Sequence, residues 1–211
     1  TSGNISDEPI CIDEHEALTR LKDIADVFLV HNRPIVRHVD DSVARIISGR
    51  EMIVRRSRGY APLPVALKSE YPPILAVGAH QKNTIALSIK ENAILSQHIG
   101  DLETHESSEA FLDSIDSLQE LYDCQPESIV CDMHPDYLST KYALKQTIPV
   151  KYIQHHYAHI GSCMAENQVD PPLLGVAWDG TGYGLDGTVW GGEFIKVTEN
   201  NFQRLLGFRS F

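Results

Sequence analysis

The sequence predicts an α/β protein, a sheet with helices packed on its faces. Three observations point there. Short β-branched runs recur along the chain, amphipathic stretches alternate with them after residue 100, and most of the intervening connections are short. No repeat of fixed period and no low-complexity segment interrupts this order.

The elements follow in sequence. Ala17, Leu18, Leu21, Ile24 and Ala25 recur at helical spacing. "PIVRHV", "VARII" and "MIVRR" read as short strands. Pro62, Pro64, Pro72 and Pro73 then crowd one stretch, and proline neither donates to a strand ladder nor leaves its predecessor free. A linker is therefore expected at 65–73, separating 1–64, the tail of an α/β domain, from 74–211. "ILAVGA" (74–79), "TIALSIK" (84–90) and "AILSQHI" (93–99) are three β segments joined by hairpin-length connections. Phe111, Ile115, Leu118 and Tyr122 form one apolar stripe of a helix. "SIVCD" (128–132) is a strand, "YLSTKYALKQ" a helix and "VKYIQ" (150–154) a strand. "LLGVAWD" (173–179) and "TVWGGEFIKV" (188–197) are strands around a glycine-rich turn.

Composition narrows the classes of function. The chain has 211 residues, 42% of them apolar and 22% charged, as in an ordinary soluble globular protein. Its longest apolar run, near "PPLLGVAW", is far short of the roughly 20 residues that span a bilayer. The opening "TSGNISDEPI" is polar, has no signal-peptide character and lacks an initiator Met, as expected of a processed chain or a piece of a longer one. Four cysteines without a C-x-x-C pair fit a reduced, cytoplasmic setting. A net charge of −11 argues against a nucleic-acid partner. The charge is uneven: Arg33 to Lys68 holds eight Lys/Arg against three Asp/Glu, a net of +5. Such a segment is a solvated face or a pocket for a small phosphorylated anion.

Three constellations could carry chemistry. In "YIQHHYAHIGS" the residues His155 and His159 lie four apart, on one face of the helix expected there, and two neutral imidazoles so placed can share a transition metal. His156 points about a hundred degrees away and is the poorer ligand. Cys163 shares their face, but a lone cysteine on a helix usually packs. Asp179 ends the next strand; if the strands are neighbours, it opens onto the same crevice. The alternative is that these histidines cap a strand end or line a polar crevice.

In "WDGTGYGLDGTVWGG", Gly180, Gly182 and Gly184 alternate, letting backbone N–H groups approach an oxyanion. The alternative is hairpin turn chemistry at "LDGT". "VGAHQKNT" offers a counterpart, with Lys82 as a point cation and Asn83 and Thr84 as donors. "VRRSRGY" holds Arg55, Arg56 and Arg58, a phosphate grip or a basic strand edge that discourages aggregation. No G-x-S-x-G elbow and no activated cysteine is present.

Together the strings "TSGN", "NRPIVRHVDDSV", "VRRSRGYAP", "VGAHQKNT", "SQHIGDLE", "CDMHPDYLST", "QHHYAHI" and "DGTGYGLDGTVWGGEF" resemble the HypF carbamoyltransferases, the hydrogenase maturation factors. The resemblance implies the C-terminal part of a YrdC-like α/β domain followed by the N-terminal half of a Kae1-like domain of the actin/hexokinase superfold (ribonuclease H-like). It implies formation of carbamoyl adenylate from carbamoyl phosphate and ATP, and transfer of the carbamoyl group to the C-terminal cysteine of HypE for cyanide-ligand synthesis in [NiFe] hydrogenase. Ser2 and Asn4 match the S-x-N nucleotide motif of the YrdC-like fold, and Ser42, Arg55 and Arg58 its phosphate- and carbamoyl-contacting strands. His155, His159 and Asp179 match a catalytic metal site, for zinc or iron, with magnesium accompanying the nucleotide. Gly180, Thr181, Gly182 and Gly184 match the nucleotide phosphate loop. Neither nucleic acid nor membrane is implied as a partner.

Three other readings stay open. One is a tRNA threonylcarbamoyladenosine-type enzyme of the same superfold, against which the acidic second half offers no basic stripe. Another is a metal-dependent hydrolase, but Tyr157 and Ala158 stand where H-E-x-x-H would have its glutamate. The third is a non-catalytic nucleotide-binding module that docks HypE.

Overall fold

A computed structural model describes residues 3–6 and 8–209. They fall into two compact units that interleave along the chain: the first draws on 1–64, 80–86 and 94–125, the second on 65–79, 87–93 and 126–211. Among the described residues no helix is long and apolar enough to cross a membrane.

In the first unit, helix α1 (Glu14–Arg20) starts at Asp13, whose carboxylate accepts from the N–H groups of His15 and Glu16 at 2.8 and 2.9 Å. The apolar pattern continues past its end, but Ile24 is exposed. Strands β1 (Val43–Ile47) and β2 (Arg50–Arg55) form an antiparallel hairpin. Its two turn residues, Ser48 and Gly49, both have positive φ, the geometry that matches strand twist. "PIVRHV" forms no strand. Ile35 and Val36 are exposed, and no ladder partner for them lies among the described residues, so β-branching alone does not hold them extended in a sheet. Helix α2 (His105–Tyr122) opens with a reciprocal cap between Thr104 and Ser107 and buries Phe111, Ile115 and Leu118 of the expected stripe, together with Ala110, while Tyr122 is half-buried.

The stretch expected as a linker is instead strand β3 (Pro64–Tyr71). Its prolines bracket the strand: Pro64 is its first residue, and Pro72 and Pro73 follow its last, so no interior ladder bond is lost. With β4 (Ile74–Ala76), β5 (Ala86–Leu95), β6 (Ser128–Asp132) and β7 (Val150–Ile153) it builds a sheet of order β3-β5-β4-β6-β7. The Ser96 N–H donates to Ile85 O at 2.9 Å across the ends of β5. A straight strand of that length would hold these residues more than about 30 Å apart. The range therefore doubles back, at Lys90 with φ 53°, in agreement with two strands and a tight connection.

Strands β4, β6 and β7 are parallel neighbours. Helix α3 (Leu138–Ala143) follows β6 and helix α4 (His155–Asn167) follows β7. A second, antiparallel sheet has the order β12-β11-β8, from β8 (Leu173–Ala177), β11 (Glu193–Thr198) and β12 (Asn201–Gly207). The run "TVWGGEFIKV" is therefore two strands. Gly191 and Gly192 part β11 from a two-residue β10 (Val189–Trp190), which pairs with β9 (Gly182–Tyr183).

Helix α4 is fixed to β8 and β11 by a buried cluster of Ile160, Ala177, Ile195 and Val197. The approach is close because Gly175 has no side chain: a Cβ there would lie 2.5–2.8 Å from three side-chain carbons of Ile160. Gly175→Ala should therefore destabilise the chain by about 1–3 kcal/mol, the usual cost of overpacking. Combined with Ile160→Ala it should cost less than the sum of the two single changes, measured by denaturant unfolding.

Candidate metal centre

Three strand ends converge where α4 begins. Strand β6 ends in Asp132, which lies in parallel register with Ile153 at the end of β7, two residues before His155. Strand β8 ends at Ala177 and delivers Asp179 two residues later. Gln154 caps α4: its Oε1 accepts from the Tyr157 N–H at 3.1 Å, while its Nε2 donates to Tyr183 O at 3.1 Å. One side chain thus ties the start of the helix to β9.

His155 lies between two carboxylates. Its Nδ1 is 2.6 Å from Asp132 Oδ2, and its Nε2 is 2.8 Å from Asp179 Oδ2. His159, one turn on, brings its own Nε2 to 3.6 Å from the same Asp179 oxygen. One ligand atom from each of His155, His159 and Asp179 lies within 4.8 Å of the others. Asp179 Oδ2 is buried yet receives no properly directed hydrogen bond. An orphaned carboxylate oxygen facing two imidazole nitrogens is the donor set of a divalent transition metal, so these residues fit one. His156 is fully buried and edge-on to His155, with Nδ1 3.2 Å from Gln154 Nε2. It is a core histidine, packed against Trp190 with ring centres 6.4 Å apart.

The electrostatics follow from this geometry. The hydrogen bond to Asp132 raises the pKa of His155, and the charges of Asp132 and Asp179 add to the rise against the cost of burial. Desolvation lowers His156 and His159, helped in each by the neighbouring His155. Burial, with Asp132 and Asp179 nearby, raises the Tyr137 phenol.

The glycine loop borders this centre for reasons of space. A Cβ on Gly182 would meet His156 Cε1 at 2.5 Å and His155 Cβ at 3.0 Å, and one on Gly184 would overlap Trp190. A Cβ on Gly180 would meet nothing within 4 Å, although its carbonyl packs against Gly191, and Thr181 is exposed. The "LDGT" turn is locked by Asp186, whose Oδ1 accepts from Thr188 N–H, Thr188 Oγ1 and Trp190 Nε1 at 2.7–3.1 Å. Hairpin chemistry therefore accounts for the second half of the glycine run, leaving Gly180 and Thr181 as its open face.

The remaining residues expected at a nucleotide lie in the first unit, apart from Ser2, which is outside the described residues. Asn4 Nδ2 donates to Ile5 O and Glu8 O. Ser42 Oγ accepts from Ser57 N–H and donates to Arg58 O, both at 2.8 Å, and so clamps the turn after β2. Arg55 and Arg58 are exposed, Arg58 lying 3.7 Å from Asp41. Lys82 pairs with Asp101 at 3.1 Å, and Asn83 is buried in a bridge to Gly100. Local structure thus engages Asn4, Ser42, Lys82 and Asn83, whereas Arg55 and Arg58 stay open to solvent.

Spacing along the chain does not reveal Asp132, 23 residues from its partner His155. Nor does it reveal the aromatic group beside it: His134 stacks on Tyr137 with ring centres 4.1 Å apart and meets Tyr183 edge-on. The available signal was "CDMHPDYLST", a strand-ending acid followed by His and Tyr.

Comparison with known proteins accounts for nearly the whole chain. Residues 69–166 match the family described as HypF Kae1-like domain, and 175–211 match the carbamoyltransferase Kae1-like domain, second subdomain. Residues 1–57 match the Sua5/YciO/YrdC family described as telomere recombination. The chain is 52% identical to the carbamoyltransferase HypF of Synechocystis sp. over its full length, and 41% identical over 97% of it to that of Rhizobium leguminosarum bv. viciae. It spans 28% and 27% of those relatives. A crystal structure of full-length HypF in the phosphate- and nucleotide-bound form superposes with a TM-score of 0.93 at 49% identity, over 97% of this chain and 33% of that one.

In the metal-free chain, His155 should titrate above the ordinary 6.5 and His159 below it, read by histidine NMR. With its folded pKa raised, the His155 contribution to stability is complete below the unfolded pKa and declines as pH rises through the folded value. The gap in melting temperature between wild type and His155→Gln should therefore narrow as pH rises.

Proposed function

Because this chain belongs to the HypF family of carbamoyltransferases, we propose that it is part of an enzyme that makes carbamoyl adenylate from carbamoyl phosphate and ATP. The enzyme passes the carbamoyl group to the C-terminal cysteine of HypE, on the route to the cyanide ligand of [NiFe] hydrogenase. The observation that carries this reading is the convergence of His155, His159 and Asp179 on one point beside the open face of the glycine loop.

The transfer step needs a thiol, an activated carbonyl and a leaving phosphate. The HypE thiolate attacks the carbamoyl carbon, the C–O bond to the adenylate phosphate breaks, and AMP leaves with the electron pair. Two of the chain's cysteines are poor competitors for that role, since burial raises the thiol pKa of Cys11 and Cys131. Four cysteines without a C-x-x-C pair also suit the reduced interior of a cytoplasm.

His155, His159 and Asp179 hold a zinc or iron ion, which when bound supplies Lewis-acid polarisation of a carbonyl or phosphoryl oxygen. Gly180 and Thr181 present backbone N–H groups to the nucleotide phosphate without adding charge, and magnesium accompanies the nucleotide. Arg55 and Arg58 offer bidentate donors to carbamoyl phosphate from the YrdC-like region. Enclosure matters because carbamoyl adenylate is a mixed anhydride that water destroys.

Zinc retention after gel filtration tests the centre. His155→Ala with His159→Ala, or Asp179→Asn alone, should lose the metal and lower carbamoyl transfer to HypE by roughly a hundredfold or more, in a range ordinary for ligand loss. Arg58→Ala should keep the metal and weaken use of carbamoyl phosphate. Full transfer activity in the metal-free double variant would contradict the reading. Zinc affinity should also fall as pH falls, because the proton favoured on His155 competes with the ion.

A further inference from the structure

Asp132 is the most buried carboxylate near the centre, with a side chain 5% exposed, and it is not one of the three converging ligands. Both its oxygens are committed. Oδ1 accepts from the His134 N–H at 2.8 Å, and Oδ2 meets His155 Nδ1 at 2.6 Å. The Asp132 carbonyl accepts from Thr140 Oγ1 at 3.1 Å, fixing the end of β6 from below.

A neutral imidazole carries one proton, and His155 has a carboxylate at each nitrogen. The contact to Asp132 is the shorter and well directed, whereas that to Asp179 Oδ2, at 2.8 Å and near enough to favour a protonated ring, is poorly directed. The proton therefore belongs on Nδ1, which leaves a lone pair on Nε2 facing Asp179 and His159. We propose that Asp132 is a positioning residue: it holds His155 in the Nδ1–H tautomer and so makes Nε2 available as a ligand. Through Oδ1 the same carboxylate also locates the His134–Tyr137 stack, coupling that aromatic wall to the centre. The part concerning metal rests on the reading of His155, His159 and Asp179 given above; the tautomer does not.

Asp132→Asn gives a sharp contrast. The amide oxygen still accepts from the His134 N–H, so the NH2 group is turned towards His155 Nδ1. There it donates, which places the ring proton on Nε2 and blocks the ligand lone pair.

The test uses the intact protein and two readouts. Nitrogen shifts of His155 are recorded without metal at alkaline pH, where the ring is neutral. Zinc affinity is measured separately by competition with a chromophoric chelator. Wild type should show Nδ1–H; Asp132→Asn should show Nε2–H and bind zinc 10- to 100-fold more weakly, the range seen when such an outer partner is lost. An Nε2–H tautomer in wild type would overturn the proposal, and that readout needs no variant to fold. Unchanged zinc affinity and tautomer in a folded Asp132→Asn would overturn it equally. A wild type that is Nδ1–H but takes no zinc would remove the metal reading and leave the tautomer assignment supported.

Discussion

An imidazole gripped at both nitrogens by carboxylates from two different strand ends is the constraint around which the second unit is arranged. His155 reaches Asp132 at 2.6 Å and Asp179 at 2.8 Å only if β6, β7 and β8 end together and α4 starts there. The parallel register of β6 with β7 sets the first distance. The close packing of Ile160 over Gly175 sets the second, because it presses α4 onto the strand that carries Asp179. Burial of Asp132 is tolerated because both its carboxylate oxygens accept, from the His134 N–H and from His155 Nδ1. Asp179 Oδ2 and His156 Nε2 are buried without a directed hydrogen bond, and the former faces the Nε2 atoms of His155 and His159.

The same logic explains the glycines around the centre. Gly182 and Gly184 are small because His156 and Trp190 occupy the space their side chains would take. They bring the β9–β10 hairpin against the start of α4, where Gln154 joins them through Tyr183. Glu193, fully buried, holds the far side: it takes two hydrogen bonds from Arg204 and one from the Gly191 N–H, while the Arg204 guanidinium lies over Trp190. A loop held this firmly fixes the β9–β10 hairpin against the start of α4.

Much of this was legible in the sequence where the signal is local. The four-residue spacing of His155 and His159 gave one helical face, the strand before Asp179 gave its position at a strand end, and the α2 stripe gave its buried side. Signals that depend on distant partners were not legible. Proline density at 62–73 read as a linker because the sequence does not show that Pro64 and Pro72 flank a strand. "PIVRHV" read as a strand because propensity says nothing of a missing neighbour. Asp132 was invisible as a partner of His155, since the parallel register that joins them is a property of the sheet. His156, adjacent to His155, belongs to the core because Gly182 and Trp190 close over it.

The proposed metal centre holds a single ion on two imidazole nitrogens and one carboxylate oxygen from His155, His159 and Asp179. X-ray absorption at the zinc edge on the loaded, intact protein addresses it most directly. The expected spectrum shows a first shell of light atoms only, with nitrogens at about 2.0–2.1 Å and oxygen at about 2.0–2.2 Å. A scatterer at about 2.3 Å, the zinc–sulfur distance, would contradict it by bringing a cysteine into the shell.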